Sequence, residues 1–178
     1  MKASFDNSRK FRKINIALLT VSDTRNEISD KSGLFLSESI VSSGHNVIEK
    51  KIVKDEMELI KNNLQLWISD NKVDVIISTG GTGLTKRDVT VEAHQQLYEK
   101  EISAFSTIFT LVSFDIIGTS AVQSRACAGV ANGTYLFALP GSTSACRDAW
   151  DKILKPQLDY RHKPCNFVEI MPRLLNKN

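Results

Sequence analysis

Residues 76–92 read Ile76-Ile77-Ser78-Thr79-Gly80-Gly81-Thr82-Gly83-Leu84-Thr85-Lys86-Arg87-Asp88-Val89-Thr90-Val91-Glu92. An apolar, β-branched run from Val73 to Ile77 changes here into glycines and hydroxyl residues, followed by charged residues and what reads as a helix start. A strand that feeds a polar loop is typical of the carboxyl end of an open α/β sheet, where such folds bind ligands. Glycines let backbone N–H groups approach an anion, and a nearby acid can hold a cation. The stretch therefore predicts a site for a phosphorylated ligand with a metal.

The rest of the chain alternates between strand and helix patterns. Strands are predicted at 14–21, 46–53, 73–78 and 134–139, and helices at 34–41, 57–68, 91–117 with a polar break near Lys100, and 145–154. The segment 124–133 is rich in small residues and receives no element. This order predicts a doubly wound α/β domain, with a mainly parallel sheet and helices on both faces.

The two ends of the chain have different compositions from the middle. Basic residues gather in residues 1–13, at Lys2, Arg9, Lys10, Arg12 and Lys13. This pattern predicts a flexible, solvated basic tail, with a partner-binding arm as the alternative. Residues 14–178 are predicted to form one domain, whose segment from about Pro164 has two prolines and little periodicity. That last segment is expected to be extended.

Size and composition limit the function classes. The chain has 178 residues, 42% hydrophobic content and a net charge of +3, which suits one compact domain and gives no argument for nucleic acid binding. No apolar stretch of about 18 residues and no hydrophobic signal core are apparent, so we expect a cytoplasmic protein without a membrane span. Cys127, Cys146 and Cys165 are odd in number and widely spaced, which favours neither a disulfide framework nor a zinc site.

Three predicted strands end in polar or glycine-rich turns. These turns contain Ser22 and Asp23, then Gly80, Gly81, Thr82 and Gly83, and finally Pro140, Gly141 and Ser142. Because the ends of parallel strands lie side by side, the turns are expected to line one crevice. The loop is neither a Walker A loop, since no Gly-Lys-Ser/Thr follows, nor a dinucleotide fingerprint, since a third glycine is missing at the required offset.

Each charged or capping residue near these turns has a purely structural alternative. Asp55 precedes a predicted helix with Glu58 three residues on, so it could cap that helix. Asp88 could be a turn residue, and Ser142 could be a helix N-cap. Arg125 could be an ordinary surface cation. Position in the sequence alone leaves these alternatives open.

The ordered set of motifs resembles one family. The motifs are Thr20-Val21-Ser22-Asp23, Val53-Lys54-Asp55-Glu56, Gly80 to Thr85 followed by Arg87 to Ala93, Ser124-Arg125, and Leu139-Pro140-Gly141-Ser142. Together they resemble the MoaB/MogA family of molybdenum cofactor biosynthesis proteins, over roughly Ile14 to Phe167. The basic N-terminal extension and the Pro164 to Phe167 ending look like its bacterial MoaB branch.

The resemblance implies a molybdopterin adenylyltransferase, which transfers AMP from Mg-ATP, with GTP as a possible nucleotide, to molybdopterin and releases pyrophosphate. It implies that Asp55 and Asp88 are the catalytic and Mg²⁺-binding residues. The residues expected to bind nucleotide or molybdopterin are Ser22, Asp23, Gly80, Gly81, Thr82, Gly83, Thr90, Glu92, Ser124, Arg125, Pro140, Gly141 and Ser142. The alternative function is a nucleotide- or molybdopterin-binding protein without turnover.

The resemblance also implies a homo-oligomer, a trimer or a hexamer. The predicted helical stretch Ile102 to Ile117 is apolar on more than one face, which suits burial in a subunit contact. Ordinary burial in the core of one chain is the alternative. A scaffolding role is the least favoured, because the sequence offers no second domain or linker.

Overall fold

The structure, a computed structural model, describes residues 3–175. Its strands are β1 (Ser4–Phe5), β2 (Asn15–Val21), β3 (Asn46–Val53), β4 (Val75–Thr79), β5 (Lys100–Glu101), β6 (Cys127–Ala131), β7 (Thr134–Leu139) and β8 (His162–Lys163). Six of them form one sheet in the spatial order β3-β2-β4-β7-β6-β5. The strands β3, β2, β4 and β7 are mutually parallel, whereas β6 and β5 pair antiparallel at one edge. The predicted mainly parallel sheet is confirmed.

Helices cover both faces of this sheet. They are α1 (Lys31–Ser42), α2 (Met57–Ile68), α3 (Thr90–Gln95), α4 (Ser103–Ile117), α5 (Thr143–Ala149), α6 (Lys155–Gln157) and α7 (Phe167–Leu174). Successive residues of β2 point to opposite faces, so Ile16 and Leu18 pack with α1, α4 and α5 while Ala17 and Leu19 pack with α2 and α3. Because both faces of the sheet are buried, the strands are almost continuously apolar. The helices on both faces form the predicted three-layer α/β sandwich.

The register of the parallel strands brings their carboxyl ends together. Thr79 at the end of β4 lies beside Thr20 of β2 on one side and beside Leu139 of β7 on the other. The loops that follow are joined by backbone hydrogen bonds, from the Gly80 N–H to the Leu139 carbonyl at 3.0 Å and from the Ser22 N–H to the Val53 carbonyl at 2.8 Å. The polar turns therefore lie along one edge of the sheet.

The segment 124–133, which received no element from the sequence, contains strand β6. It forms a hairpin with β7 through Asn132 and Gly133, whose φ angles are 47° and 78°. Positive φ at both central residues is the geometry that an Asn-Gly hairpin turn requires. The Asn-Gly pair was thus the signal for this strand. The predicted break near Lys100 is also present, and it is the short edge strand β5 between α3 and α4.

The predicted extended C-terminal segment is wrong for residues 167–174, which form α7. The Asn166 side chain caps this helix by accepting a 2.8 Å hydrogen bond from the Glu169 N–H, and Val168 is buried against the core. Pro172 lies inside the helix, so it does not prevent the helix from forming. Residues 176–178 lie outside the described part of the chain.

The described part of the basic N-terminal segment packs on the C-terminal region. Strand β1 pairs antiparallel with β8, and Arg9 forms an ion pair with Glu169 at 3.3 Å. The guanidinium of Arg12 lies 3.7 Å from the ring centre of Tyr160. Residues 3–13 thus make specific contacts with the folded chain, although most of them are exposed. Lys2 lies outside the described residues, and the flexibility of the segment stays a prediction.

Helix α4 and the 3-10 segment that follows it correct the expectation that the chain has no apolar stretch of about 18 residues. Ser103–Gln123 spans 21 residues and contains an 18-residue window with a mean hydropathy of 1.5, so one stretch is long and apolar enough to cross a membrane by length and composition alone. Its α-helical part has 15 residues, which extend about 22 Å, less than the roughly 30 Å of a bilayer core. Phe105 and Phe109 anchor the helix to the sheet, while its outer side is exposed.

Candidate functional site

A cavity of about 420 Å³ opens at the carboxyl edge of the parallel strands. Most of the predicted site residues line it: Ser22, Asp23, Asp55, Gly80, Gly81, Thr82, Gly83, Asp88, Ser124, Arg125, Pro140 and Gly141. Asp55 and Asp88, which are far apart in sequence, thus share one cavity. Thr90, Glu92 and Ser142 do not line it.

The glycine-rich loop is built by backbone conformations that favour glycine. Gly80 and Gly81 have φ angles of 98° and 63°. A Cβ at Gly80 would collide with the Val21 carbonyl oxygen, and a Cβ at Gly81 would lie 2.7 Å from the Asp55 Oδ2 atom and against the Thr90 hydroxyl. The loop backbone therefore passes close to β2 on one side and to the buried acid on the other.

Asp55 is nearly buried at the end of β3. Its Oδ1 atom accepts a 3.3 Å hydrogen bond from the Val89 N–H, and its own N–H donates to Asp23 Oδ1 at 3.2 Å. Burial raises the pKa of Asp55, and the nearby charges of Asp88 and Asp23 raise it further. Asp55 does not cap α2, because Glu56 holds the N-cap position and makes no side-chain cap. The capping alternative for Asp55 is therefore wrong.

Asp88 forms the turn that was its structural alternative, and it also lines the cavity. Its Oδ2 atom accepts hydrogen bonds from the Thr85 N–H at 2.9 Å and from the Thr85 hydroxyl at 2.6 Å, so it closes a turn. These bonds, the side-chain bond first, lower the pKa of Asp88. The carboxylate also lines the cavity, so the turn holds a negatively charged oxygen at the site.

Arg125 is hydrogen-bonded to the glycine-rich loop and is not an isolated surface cation. It donates to the Thr82 carbonyl at 2.9 Å and to Glu92 Oε1 at 2.5 Å, with a longer contact to the Asp88 carbonyl at 3.3 Å. The hydrogen bond to Glu92 is the largest cause that raises the pKa of Arg125. Glu92 therefore lies behind Arg125 and orients it, and the surface-cation alternative is wrong.

The other two predicted residues outside the cavity lining differ from each other. Thr90 is fully buried, and its hydroxyl oxygen has no hydrogen-bond partner among the described residues. This hydroxyl faces the same side of Gly81 as the Asp55 carboxylate. Ser142 is the N-cap of α5 and accepts a 3.2 Å hydrogen bond from the Ala145 N–H, which agrees with its structural alternative.

Four further residues line the cavity that were not predicted to bind a ligand: Val21, Thr24, Arg25 and Gln123. Arg25 is the most informative of them. Its guanidinium donates to the Gly141 carbonyl and to the Ser32 hydroxyl, each at 2.6 Å. Because Gly141 is 116 residues away, no local pattern in the sequence indicates this contact.

The acids of the cavity suit a divalent cation held by few protein ligands. The part of the chain between residues 3 and 175 has no group of three or more His, Cys, Asp or Glu side chains arranged to hold a metal. Asp55 nevertheless carries a raised pKa next to other carboxylates, and the unpartnered Thr90 hydroxyl lies beside it. Mg²⁺ is commonly bound by one or two carboxylates, with water and substrate phosphates completing its shell. Asp55 and Asp88 fit that arrangement.

The fold and this cavity define an α/β domain with a ligand site at the carboxyl edge of its parallel strands. Residues 17–160 match a family model described as "Probable molybdopterin binding domain". Molybdenum cofactor biosynthesis protein B of Escherichia coli K12 is 49% identical over 160 residues, which cover 90% of this chain and 94% of that protein. The chain therefore belongs to the MoaB family of molybdenum cofactor biosynthesis proteins.

Solved structures agree with this assignment. The crystal structure of a molybdenum cofactor biosynthesis protein B superposes with a TM-score of 0.85 at 38% identity, covering 93% of this chain and 98% of that one. The tungsten cofactor synthesizing protein MoaB from Pyrococcus furiosus gives a TM-score of 0.77 at 30% identity, covering 92% and 98%. The predicted family and fold are thus confirmed, and the role of the protein lies in molybdenum cofactor biosynthesis.

Proposed function

We propose that the protein is a molybdopterin adenylyltransferase. An oxygen of the terminal phosphate of molybdopterin attacks the α-phosphorus of ATP, the bond from that phosphorus to the oxygen bridging to the β-phosphate breaks, and pyrophosphate leaves. The observation that carries the proposal is the common cavity of Asp55, Asp88 and the Gly80–Gly83 loop. The reaction needs no covalent nucleophile on the protein, so positioning and charge neutralisation supply most of the catalysis.

The loop and its neighbours suit the phosphate groups. Backbone N–H groups of a glycine-rich turn form a concave anion site, and the absence of side chains at Gly80 and Gly81 allows close approach. Arg125 adds a fixed positive charge at the same wall, since Glu92 and the Thr82 carbonyl hold its guanidinium. We assign the loop Gly80 to Gly83 to the nucleotide phosphates, with GTP as the alternative nucleotide. Gly80 contributes the close approach of its backbone and not its N–H, which is bound to the Leu139 carbonyl.

Mg²⁺ is the metal implied by this chemistry, and when bound it supplies charge neutralisation for the phosphates. Asp55 and Asp88 would hold it directly or through water, with Asp23 close by. The two residues differ in environment, because burial raises the pKa of Asp55 whereas hydrogen bonds to Thr85 lower the pKa of Asp88. At neutral pH Asp88 supplies a permanent negative charge, and a bound cation favours the ionised form of Asp55.

Molybdopterin would contact the remaining walls of the cavity. Ser124 and Arg125 suit the phosphate or the pterin on one side, and Ser22, Asp23, Pro140 and Gly141 shape the other side. Ligand sites of this kind depend on a few polar groups that fix orientation. Thr90, Glu92 and Ser142, which do not line the cavity, would act on the ligands through Gly81, Arg125 and the start of α5 respectively.

The decisive experiment is to incubate the purified protein with molybdopterin, ATP and Mg²⁺ and to measure pyrophosphate release and the adenylylated product. We expect pyrophosphate release that depends on molybdopterin. Binding of ATP and molybdopterin without release would contradict the enzyme and select the alternative, a binding protein of the MoaB branch without turnover. Repeating the assay with GTP tests the choice of nucleotide.

The exposed side of α4 suggests a contact with another protein chain. The outer side of α4 exposes Ile108, Leu111, Phe114 and Ile117, and a contiguous apolar surface of this kind marks a contact with another protein or a membrane. We propose a second copy of this chain as the partner, in a trimer or hexamer, because the α-helical part is shorter than a bilayer core. The proposed location is the cytoplasm.

A further inference from the structure

Arg87 does not line the cavity itself, but it forms a bidentate ion pair with Asp23, which does, and it precedes Asp88, which also lines the cavity. Its Nη2 atom is 2.7 Å from Asp23 Oδ1 and 2.9 Å from Oδ2, and its Nε atom is 3.2 Å from Oδ2. The pair joins the loop after β2 to the loop before α3. It lowers the pKa of Asp23 and raises the pKa of Arg87.

The pair is easily broken. The Arg87 and Asp23 side chains are 58% and 41% exposed, and ion pairs in such positions contribute little to stability. A guanidinium binds the oxygens of a phosphate in the same forked geometry as those of a carboxylate. An anion with more charge than one carboxylate can therefore take the place of Asp23.

The two arginines that line the cavity are not free to do this. Arg125 is held by Glu92 and two backbone carbonyls, and Arg25 is held by the Gly141 carbonyl and the Ser32 hydroxyl. All side-chain hydrogen bonds of Arg87 within the described residues go to the exposed Asp23. Of these three arginines, Arg87 is thus the one whose side chain is bound to a single solvent-exposed residue.

We propose that Arg87 is a phosphate-binding residue that exchanges partners: it leaves Asp23 when a polyphosphate enters the cavity and binds the phosphate oxygens. The exchange also frees the Asp23 carboxylate beside Asp55, whose N–H it accepts at 3.2 Å. The inference rests on the proposed function for the nature of the ligand, a nucleoside triphosphate. It adds Arg87 to the residues that recognise the ligand.

The test measures binding of inorganic tripolyphosphate by calorimetry with EDTA present, so that neither metal nor turnover enters. We expect R87Q to weaken binding about tenfold and R87K, which keeps the charge without the fork, to weaken it less. D23N should tighten binding about fivefold, because Arg87 then has no competing partner. The matched control is R161Q, which removes the arginine of a similar pair with Asp159 that lies outside the cavity, and it should leave the affinity unchanged.

A double-mutant cycle separates partner exchange from simple charge effects. Removal of the Asp23 charge alone would tighten binding by the same factor in the parent and in R87Q. Partner exchange predicts that the D23N effect falls to about twofold or less when Arg87 is absent. Equal factors in both backgrounds, unchanged binding in R87Q, or no binding to the parent would overturn the proposal. Because the assay uses tripolyphosphate alone, its result is independent of whether adenylyl transfer occurs.

Discussion

The Nε2 atom of His94 lies 2.8 Å from the hydroxyl oxygen of Ser78, and both side chains are fully buried. The other ring nitrogen is 3.3 Å from the Tyr98 hydroxyl, which in turn contacts Cys127 Sγ at 3.2 Å. This chain of polar atoms connects β4, α3 and β6, the three elements that lead to the glycine-rich loop, to Glu92 and to Arg125. It also fixes the face of α3 on which Thr90 lies four residues earlier.

The buried His94 predicts a loss of stability in mild acid. Burial lowers the pKa of His94 from 6.5 to about 3 and that of His45 to about 4. The unfolded chain therefore binds protons below pH 6.5 that the folded chain does not, so stability falls as the pH falls through this range. Each histidine contributes a slope of about 1.4 kcal/mol per pH unit to the free energy of unfolding. Urea denaturation between pH 6 and 4.5 should show a smaller slope in His94→Gln than in the parent, and an unchanged slope would refute the buried neutral state.

Gly81 and Gly118 provide a matched pair of glycine substitutions. Their φ angles are 63° and 59°, but a Cβ would meet Asp55 and Thr90 at Gly81 and nothing within 4 Å at Gly118. Both alanine variants should lose about 1–3 kcal/mol of unfolding free energy, because both positions have a positive φ that residues with a Cβ rarely adopt. Only Gly81→Ala should also weaken ATP binding, by at least about tenfold, because it displaces the buried carboxylate. Denaturation curves and calorimetric titrations measure the two effects, and equal loss of affinity in both variants would count against a role for the loop.

Replacing either site aspartate should affect turnover far more than folding. Asp88→Asn keeps an oxygen that can accept the bonds from Thr85, and Asp55→Asn keeps one for the Val89 N–H. We expect each variant to lower molybdopterin-dependent adenylylation at least about 10²-fold, which corresponds to about 2.7 kcal/mol of barrier. The exposed Asp151 supplies the control, because Asp151→Asn removes the same charge away from the cavity. Activity equal to that of the parent in both variants would contradict the proposal that Asp55 and Asp88 bind the metal.

The sequence predicts the parts of the site that depend on local pattern. Buried strands ending in Ser22-Asp23, in the glycine-rich loop and in Pro140-Gly141 are visible one at a time, and parallel pairing then brings these ends together. The glycine-rich loop also required φ angles that few other residues adopt, so its composition was informative. These features account for most of the cavity lining.

The remaining parts depend on contacts between distant residues or on signals that compete. The contact of Arg25 with Gly141 and the pairing of Arg87 with Asp23 join loops that only the folded chain brings together. Strand β6 was missed because small residues have weak strand preference, although the Asn-Gly turn after it was a usable signal. Helix α7 was missed because Pro172 inside it argues against a helix, whereas the Asn166 cap that starts it is a weaker local signal.

The exposed side of α4 gives the last prediction, which concerns assembly. Leu111 is 62% exposed on this face, and Leu66 of α2 is 59% exposed outside it. If a second copy covers α4, Leu111→Asp buries a charge in the contact and should convert the oligomer to a monomer. Leu66→Asp should leave the mass in solution unchanged, because Leu66 lies on α2, outside the α4 face. Sedimentation or light scattering measures both masses. A parent protein that is already monomeric would contradict self-association through α4 and would point to a different partner for this apolar face.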